Sequence, residues 1–139
     1  MISRSRILGL FAVVVLALSG CVGWSADGRA TYLAAITVTT PNLVSIPDGS
    51  YLGSYSLDLP PGGVAAYRSI SVEVAMGSGT ITGITITAPT QLASGDFYDA
   101  IVTGPNGVIA NQSLDVDAVS GASYSSKAFL KAVEAALPR

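Results

Sequence analysis

The clearest pattern along the chain is the alternation from Ser69 to Met76. Ile70, Val72, Val74 and Met76 fall on one parity, and Ser69, Ser71, Glu73 and Ala75 on the other. A period of two predicts a β-strand with one face in a core and the other in water. Gly77-Ser78-Gly79 then turns the chain into the β-branched run Thr80 to Thr87, so the two runs read as a hairpin. Within the second run Ile81 and Ile84 have opposite parity, and this slip predicts a bulge or kink at Gly83. Upstream, Tyr51, Gly53, Tyr55, Leu57 and Leu59 share one parity and predict a further strand. It is bounded by the turn signal Ile46-Pro47-Asp48-Gly49 and by the loop Pro60-Pro61-Gly62-Gly63. A briefer alternation of Ile36 and Val38 with Thr37 and Thr39 predicts a short strand that Pro41 stops.

After Pro89 the period changes. Phe97, Ala100 and Ile101 predict a helix over 96–103 with Ser94 as its cap, and Gly104-Pro105-Asn106-Gly107 ends it. Residues 108–119 hold no steady period and read as irregular. The last element is a helix: Phe129, Leu130, Val133 and Leu137 make an apolar stripe, Lys127 and Lys131 lie four apart, and Pro138 closes it. Ser125 or Ser126 is its expected cap. Strands first and helices afterwards, without internal repeat, predict a single small α+β domain: a twisted antiparallel sheet, helices packed on one side, and a C-terminal helix.

The N-terminus follows a different logic. Met1 to Arg6 is short and basic, and the apolar run Ile7 to Leu18 is too short to span a bilayer comfortably, so the segment reads as a signal peptide. It closes on Leu18-Ser19-Gly20-Cys21, which resembles the bacterial lipobox. That likeness implies a diacylated Cys21 at the mature N-terminus and a folded part outside the cytoplasm, lipid-anchored to the cell membrane or the outer membrane. The organisation expected is therefore a lipoprotein signal peptide at 1–21, a solvated tether and short strand at 22–42, and the folded domain at 43–139.

Composition removes several kinds of chemistry. Beyond residue 21 there are 5 cations against 9 acids, a net charge of −4, which offers no basic footprint for nucleic acid. The chain contains no His, so imidazole acid–base chemistry and Ser–His–Asp triads are absent. Its single Cys cannot form an internal disulfide, and zinc or iron–sulfur cysteine patterns are excluded with it. No metal site is expected.

Ile46-Pro47-Asp48-Gly49-Ser50-Tyr51-Leu52-Gly53-Ser54-Tyr55, the hairpin pieces Val72-Glu73-Val74 and Ile81-Thr82-Gly83-Ile84, and the late stretch Asp117-Ala118-Val119-Ser120-Gly121-Ala122-Ser123 together resemble the FMN-binding domain family. That family is known from the FMN-carrying subunits of sodium-translocating NADH:quinone oxidoreductase and ferredoxin:NAD oxidoreductase complexes, and from small lipoproteins of extracellular electron transfer. Asp48-Gly49-Ser50-Tyr51-Leu52-Gly53 is similar to the family's entry strand, and Val72-Glu73-Val74 with Ile81-Thr82-Gly83-Ile84 to its central hairpin. Asp117-Ala118-Val119-Ser120-Gly121-Ala122-Ser123 is close to its signature Asp-x-x-(Ser/Thr)-Gly-Ala-(Thr/Ser).

The resemblance implies a covalent cofactor. In the family a magnesium-dependent flavin transferase takes FAD and moves its FMN half onto the hydroxyl of the last motif residue, leaving a phosphodiester. By position Ser123 is the acceptor and Asp117 the motif acid, with Ser120, Gly121 and Ala122 as the turn between them. Tyr124, Ser125 and Ser126 come next as cofactor-binding neighbours. A serine hydroxyl is a weak nucleophile unless a base or metal activates it, and without His that machinery is expected to belong to the transferase. Ser123 is expected just before the last helix, whose first amides would face the attached phosphate, with Lys127 adding charge. Ser120 and Ser125 are alternative hydroxyls. Tyr51, Tyr55, Tyr67, Phe97, Tyr98 and Tyr124 are candidate walls for the isoalloxazine, with Gln91 and Leu92 at its edge. Arg68 and Glu73 read as solvated surface charges.

The implied function is a membrane-anchored flavoprotein electron carrier, itself no enzyme but a substrate of the transferase, passing electrons between a donor and an acceptor that the sequence does not identify. A surface binding or structural lipoprotein without flavin, and an FMN donor subunit serving a separate reductase, are the alternatives.

Overall fold

The computed structural model describes residues 26–59, 63 and 65–139. The signal-peptide reading, Cys21 and the first part of the tether lie outside these residues, as does most of the Pro60–Gly63 loop.

Three strands form one antiparallel sheet in the order β1 (Gly49–Ser56), β2 (Ser69–Gly77), β3 (Thr80–Ala88). β2 is central, and its expected alternation is realised: Ile70, Val72, Val74 and Met76 are all buried. The β2–β3 turn is two residues long, with Ser78 at φ 54° and Gly79 at φ 74°. Positive φ at both positions is what a type I′ hairpin loop requires. Asp48 Oδ1 accepts from the Ser78 amide at 2.8 Å, which ties the start of β1 to this turn. β1 runs antiparallel to β2 from Gly49↔Met76 to Ser56↔Ser69. In β3 the register shifts between Ala75↔Gly83 and Met76↔Ile81, so the extra residue of the bulge is Thr82, one place before the expected Gly83. The shift lets Ile81, Ile84 and Ile86 all reach the core.

The C-terminal helix covers the sheet. In the order of the chain the helices are α1 (Ala26–Ala35), α2 (Asp96–Tyr98), α3 (Val108–Asn111) and α4 (Ser123–Ala136). Phe129, Leu130, Val133 and Leu137 are buried as the apolar stripe requires, each such side chain contributing about 1.5–3 kcal/mol by leaving water. Ala128, Ala132 and Ala136 form a second buried row of small residues, and this row lets the helix backbone approach β1 closely. A Cβ on Gly53 would lie 2.4 Å from both the Ala132 carbonyl oxygen and the Ala136 amide nitrogen, so only glycine fits there.

Five local expectations change, the first being that Val108–Asn111, within the stretch read as irregular, forms the short helix α3. Residues 36–39 form no strand, because their backbone groups bond to side chains of α4 instead of to a neighbouring strand. The second part of the tether is helical, as α1. The expected helix over 96–103 is a single α-turn, α2, that continues as a π-helix over Asp99–Thr103. Its N-cap is Gly95 at φ 92° rather than Ser94, which is exposed. Finally α4 starts at Ser123 with Ala122 as N-cap and no capping side chain. Ser125 and Ser126 therefore sit inside its first turn and do not cap it.

Candidate functional site

The turn Val119–Ala122 is tied down by one serine. The buried Ser126 hydroxyl accepts from the Val119 amide at 2.9 Å and donates to the Ala122 carbonyl at 2.7 Å, a carbonyl that also accepts from the Ser126 amide. The Ala122 amide in turn donates to the Val119 carbonyl at 2.9 Å. Within this knot Gly121 takes φ 76°, a torsion that glycine adopts at little cost. Among the described residues a Cβ there would meet nothing within 4 Å, so torsion rather than crowding selects the residue.

Ser123, the first residue of α4, is half-buried and lines a cavity of about 360 Å³ together with Gly121, Tyr124, Arg29, Ala30 and Leu33. The first-turn amides of a helix have no acceptor within the helix, which gives this end a partial positive character. Arg29 adds a cation, and no acid lines the cavity among the described residues. The Tyr124 hydroxyl is buried and finds no hydrogen-bond partner among the described residues. Its ring meets that of Tyr32 at 6.1 Å and an angle of 47°. Burial, aided by the neighbouring Tyr55, Asp58 and Tyr124, pushes the Tyr32 phenol above its ordinary value.

The other motif residues divide. Asp117 is exposed and lies on a different cavity, of about 530 Å³, lined also by Asp99, Gly104, Asn106 and Val119. Ser120 is exposed, Ala122 half-buried, Ser125 buried and Ser126 buried with its hydroxyl fully engaged in the turn. Lys127 donates to the Ile36 carbonyl at 3.3 Å, so the charge expected at the helix start is already engaged with the backbone.

Of the six aromatic residues read as possible walls, Tyr124 alone lines the Ser123 cavity. Tyr51 donates to the Pro47 carbonyl at 2.6 Å, and Tyr55 lies under Lys131 Nζ at 5.8 Å from its ring centre. Phe97 stands edge-on to Phe129, Tyr98 donates to the Ile84 carbonyl, and Tyr67 packs against the core. Leu92 belongs to the core, while Gln91 is exposed. Arg68 and Glu73 are exposed, as their positions in the sequence predict.

Sequence reasoning missed both Glu134 and α1. Glu134 is buried at 7% exposure. It accepts from the Thr39 amide at 2.6 Å, from Lys131 at 2.9 Å and from Arg139 at 3.0 Å. Burial alone would raise its pKa, but the Thr39 amide and the two cations outweigh that and hold the carboxyl below its ordinary value. In α1 the one available signal was Arg29 and Leu33 four residues apart, a spacing that puts both on one helix face.

The family model described as the FMN-binding domain matches residues 67–138, which contain β2, β3, the motif turn and α4. No curated protein and no solved structure matches the chain.

Proposed function

This chain belongs to the FMN-binding domain family, and from that premise we propose that it is an extracytoplasmic, lipid-anchored electron carrier with FMN joined to Ser123 by a phosphodiester. The observation that carries the reading is the setting of Ser123. Its hydroxyl belongs to the first turn of α4, beside a cavity, behind a glycine with open space around it. The residues present fit the group in kind: a hydroxyl for the ester, a helix start and Arg29 for the phosphate, Leu33 and Tyr124 for an aromatic ring.

Attachment balances as a transfer from FAD. A bond forms between Ser123 Oγ and the phosphorus of the FMN half, the pyrophosphate P–O bond breaks, AMP leaves, and the hydroxyl proton is released. With no His in the chain, deprotonation of Ser123 falls to the magnesium-dependent transferase. Of the alternative hydroxyls Ser125 is buried; Ser120 is exposed but is not among the residues lining the cavity at the start of α4, which supports Ser123 as acceptor. Asp117, exposed on its own cavity, suits recognition by the transferase rather than proton transfer. Bound FMN supplies the redox chemistry, while this chain tethers, orients and shields it.

The anchor fits the same role. Cys21 stands five residues ahead of Ala26, an extended reach of roughly 18 Å. Acyl chains on Cys21 therefore hold the start of α1, and with it the Ser123 cavity, close to the lipid surface where membrane-bound donors reside.

Co-expression of the full chain with a flavin transferase, followed by ultraviolet inspection of the denatured gel band, tests the reading. The parent band is expected to fluoresce and the Ser123→Ala band to stay dark. A dark parent, or an alanine variant as bright as the parent, contradicts it.

A further inference from the structure

Half of the cavity at Ser123 comes from outside the matched domain. Arg29 and Leu33 belong to α1, whereas the FMN-binding domain match begins at residue 67. The segment 36–39, just after α1, is fastened firmly to α4. Lys127 Nζ donates to the Ile36 carbonyl at 3.3 Å and Lys131 Nζ to the Thr37 carbonyl at 3.1 Å. The Thr39 amide donates to Glu134 Oε2 at 2.6 Å, and the Ile36 side chain is part of the core. These bonds fix the point at which α1 leaves the domain, and the Tyr32–Tyr124 ring contact settles it against the start of α4.

Two properties of the cavity say what it accepts. Its one charged wall residue among those described is the cation Arg29, which suits an anion. Tyr124 lines it as well, and its buried hydroxyl has no hydrogen-bond partner among the described residues, so it remains able to donate. Leu33 supplies apolar surface beside it. A planar heteroaromatic ring with carbonyl and nitrogen edges, carried on an anionic tether, meets each of these features.

Building on the flavin reading above, we propose that α1 is the outer wall of the flavin site: the isoalloxazine carried on Ser123 packs between Leu33 and Tyr124, with Arg29 as counter-ion to the phosphodiester. The tether thus does two tasks, since the segment leading to the membrane also closes the cofactor site.

Phenols in contact with an excited flavin quench its emission by electron transfer, so the emission of the folded flavinylated chain, compared with the same sample denatured, reports the contact. Mass spectrometry fixes the adduct content of each sample. The parent is expected to emit several-fold less when folded than when denatured. Both Leu33→Ser and the pair Tyr32→Phe with Tyr124→Phe should raise the folded emission several-fold at equal adduct content. Arg68→Gln, an exposed cation outside the site, should leave it unchanged. A folded parent as bright as the denatured one overturns the proposal, as does either set of substitutions leaving the ratio at the parent value. A parent without adduct overturns the covalent reading itself and this proposal with it, an outcome the mass measurement identifies separately.

Discussion

At its C-terminal half α4 lies so close to β1 that a Cβ on Gly53 would stand 2.4 Å from backbone atoms of Ala132 and Ala136, whereas just ahead of the same helix a Cβ on Gly121 would meet nothing within 4 Å among the described residues. One glycine is required by crowding and the other by torsion. The packed end fixes where the helix lies, and with it where Ser123 stands. The open end leaves that hydroxyl approachable by a large partner. Rigidity is thus placed one helix length away from Ser123, and the turn that bears the motif is held by its own Ala122–Val119 backbone bond and one buried serine.

Substitutions sharpen the contrast in order of size. Gly53→Ala is expected to cost about 3 kcal/mol or more, since the atoms it meets are backbone and cannot move aside. Urea denaturation measures the loss, and a change below about 1 kcal/mol would show that α4 shifts freely on β1. Next comes Glu134→Gln, with a loss of about 2 kcal/mol from weakened bonds to Thr39, Lys131 and Arg139. Its sign with pH is fixed. The folded carboxyl titrates below the unfolded one, near pH 4.3, so its stabilisation is present above that pH and is lost as the pH falls through the lower folded value. The parent should therefore lose more stability than the glutamine variant between neutral and acid pH, and parallel acid limbs would contradict the assignment.

Smaller effects belong to the open end. Ser126→Ala removes both the acceptor of the Val119 amide and a donor to Ala122, at about 1–2 kcal/mol, and should also slow flavin attachment because the motif turn loosens. Gly121→Ala should cost about 1 kcal/mol, the price of the left-handed torsion alone. A larger loss in thermal unfolding would mean that the turn is packed after all.

The same contrast governs how much could be read from the sequence. Where burial follows a local period, as in Ile70–Met76 and the Phe129–Leu137 stripe, strand and helix were legible, because side-chain direction is fixed by the backbone repeat. The motif Asp117–Ser123 was legible as a string, and its turn follows from Gly121. Several of the missed features depend on partners distant in sequence. Thr37 and Thr39 alternate like a strand, yet their backbone bonds go to Lys131 and Glu134, more than ninety residues on. Lys127 and Lys131 show in the sequence as a pair four residues apart, with Lys127 expected to add charge at the helix start, but both reach back to the segment after α1. α1 itself carries Gly28 and lacks a clear apolar stripe, and its placement rests on ring contact with Tyr124 and on the fastened segment 36–39 beyond it. Tyr51, Tyr55 and Tyr98 looked available for a cofactor because a sequence cannot show that their ring faces and hydroxyls are already engaged.

The intact mass of the mature protein, isolated from cells that express a flavin transferase, tests the central claim most directly. The account predicts one FMN-sized increment that peptide mapping places on Ser123, retained in Ser123→Thr and absent from Ser123→Ala. An increment that persists in the alanine variant or maps to Ser120 or Ser125, or a parent chain with no increment, would contradict it.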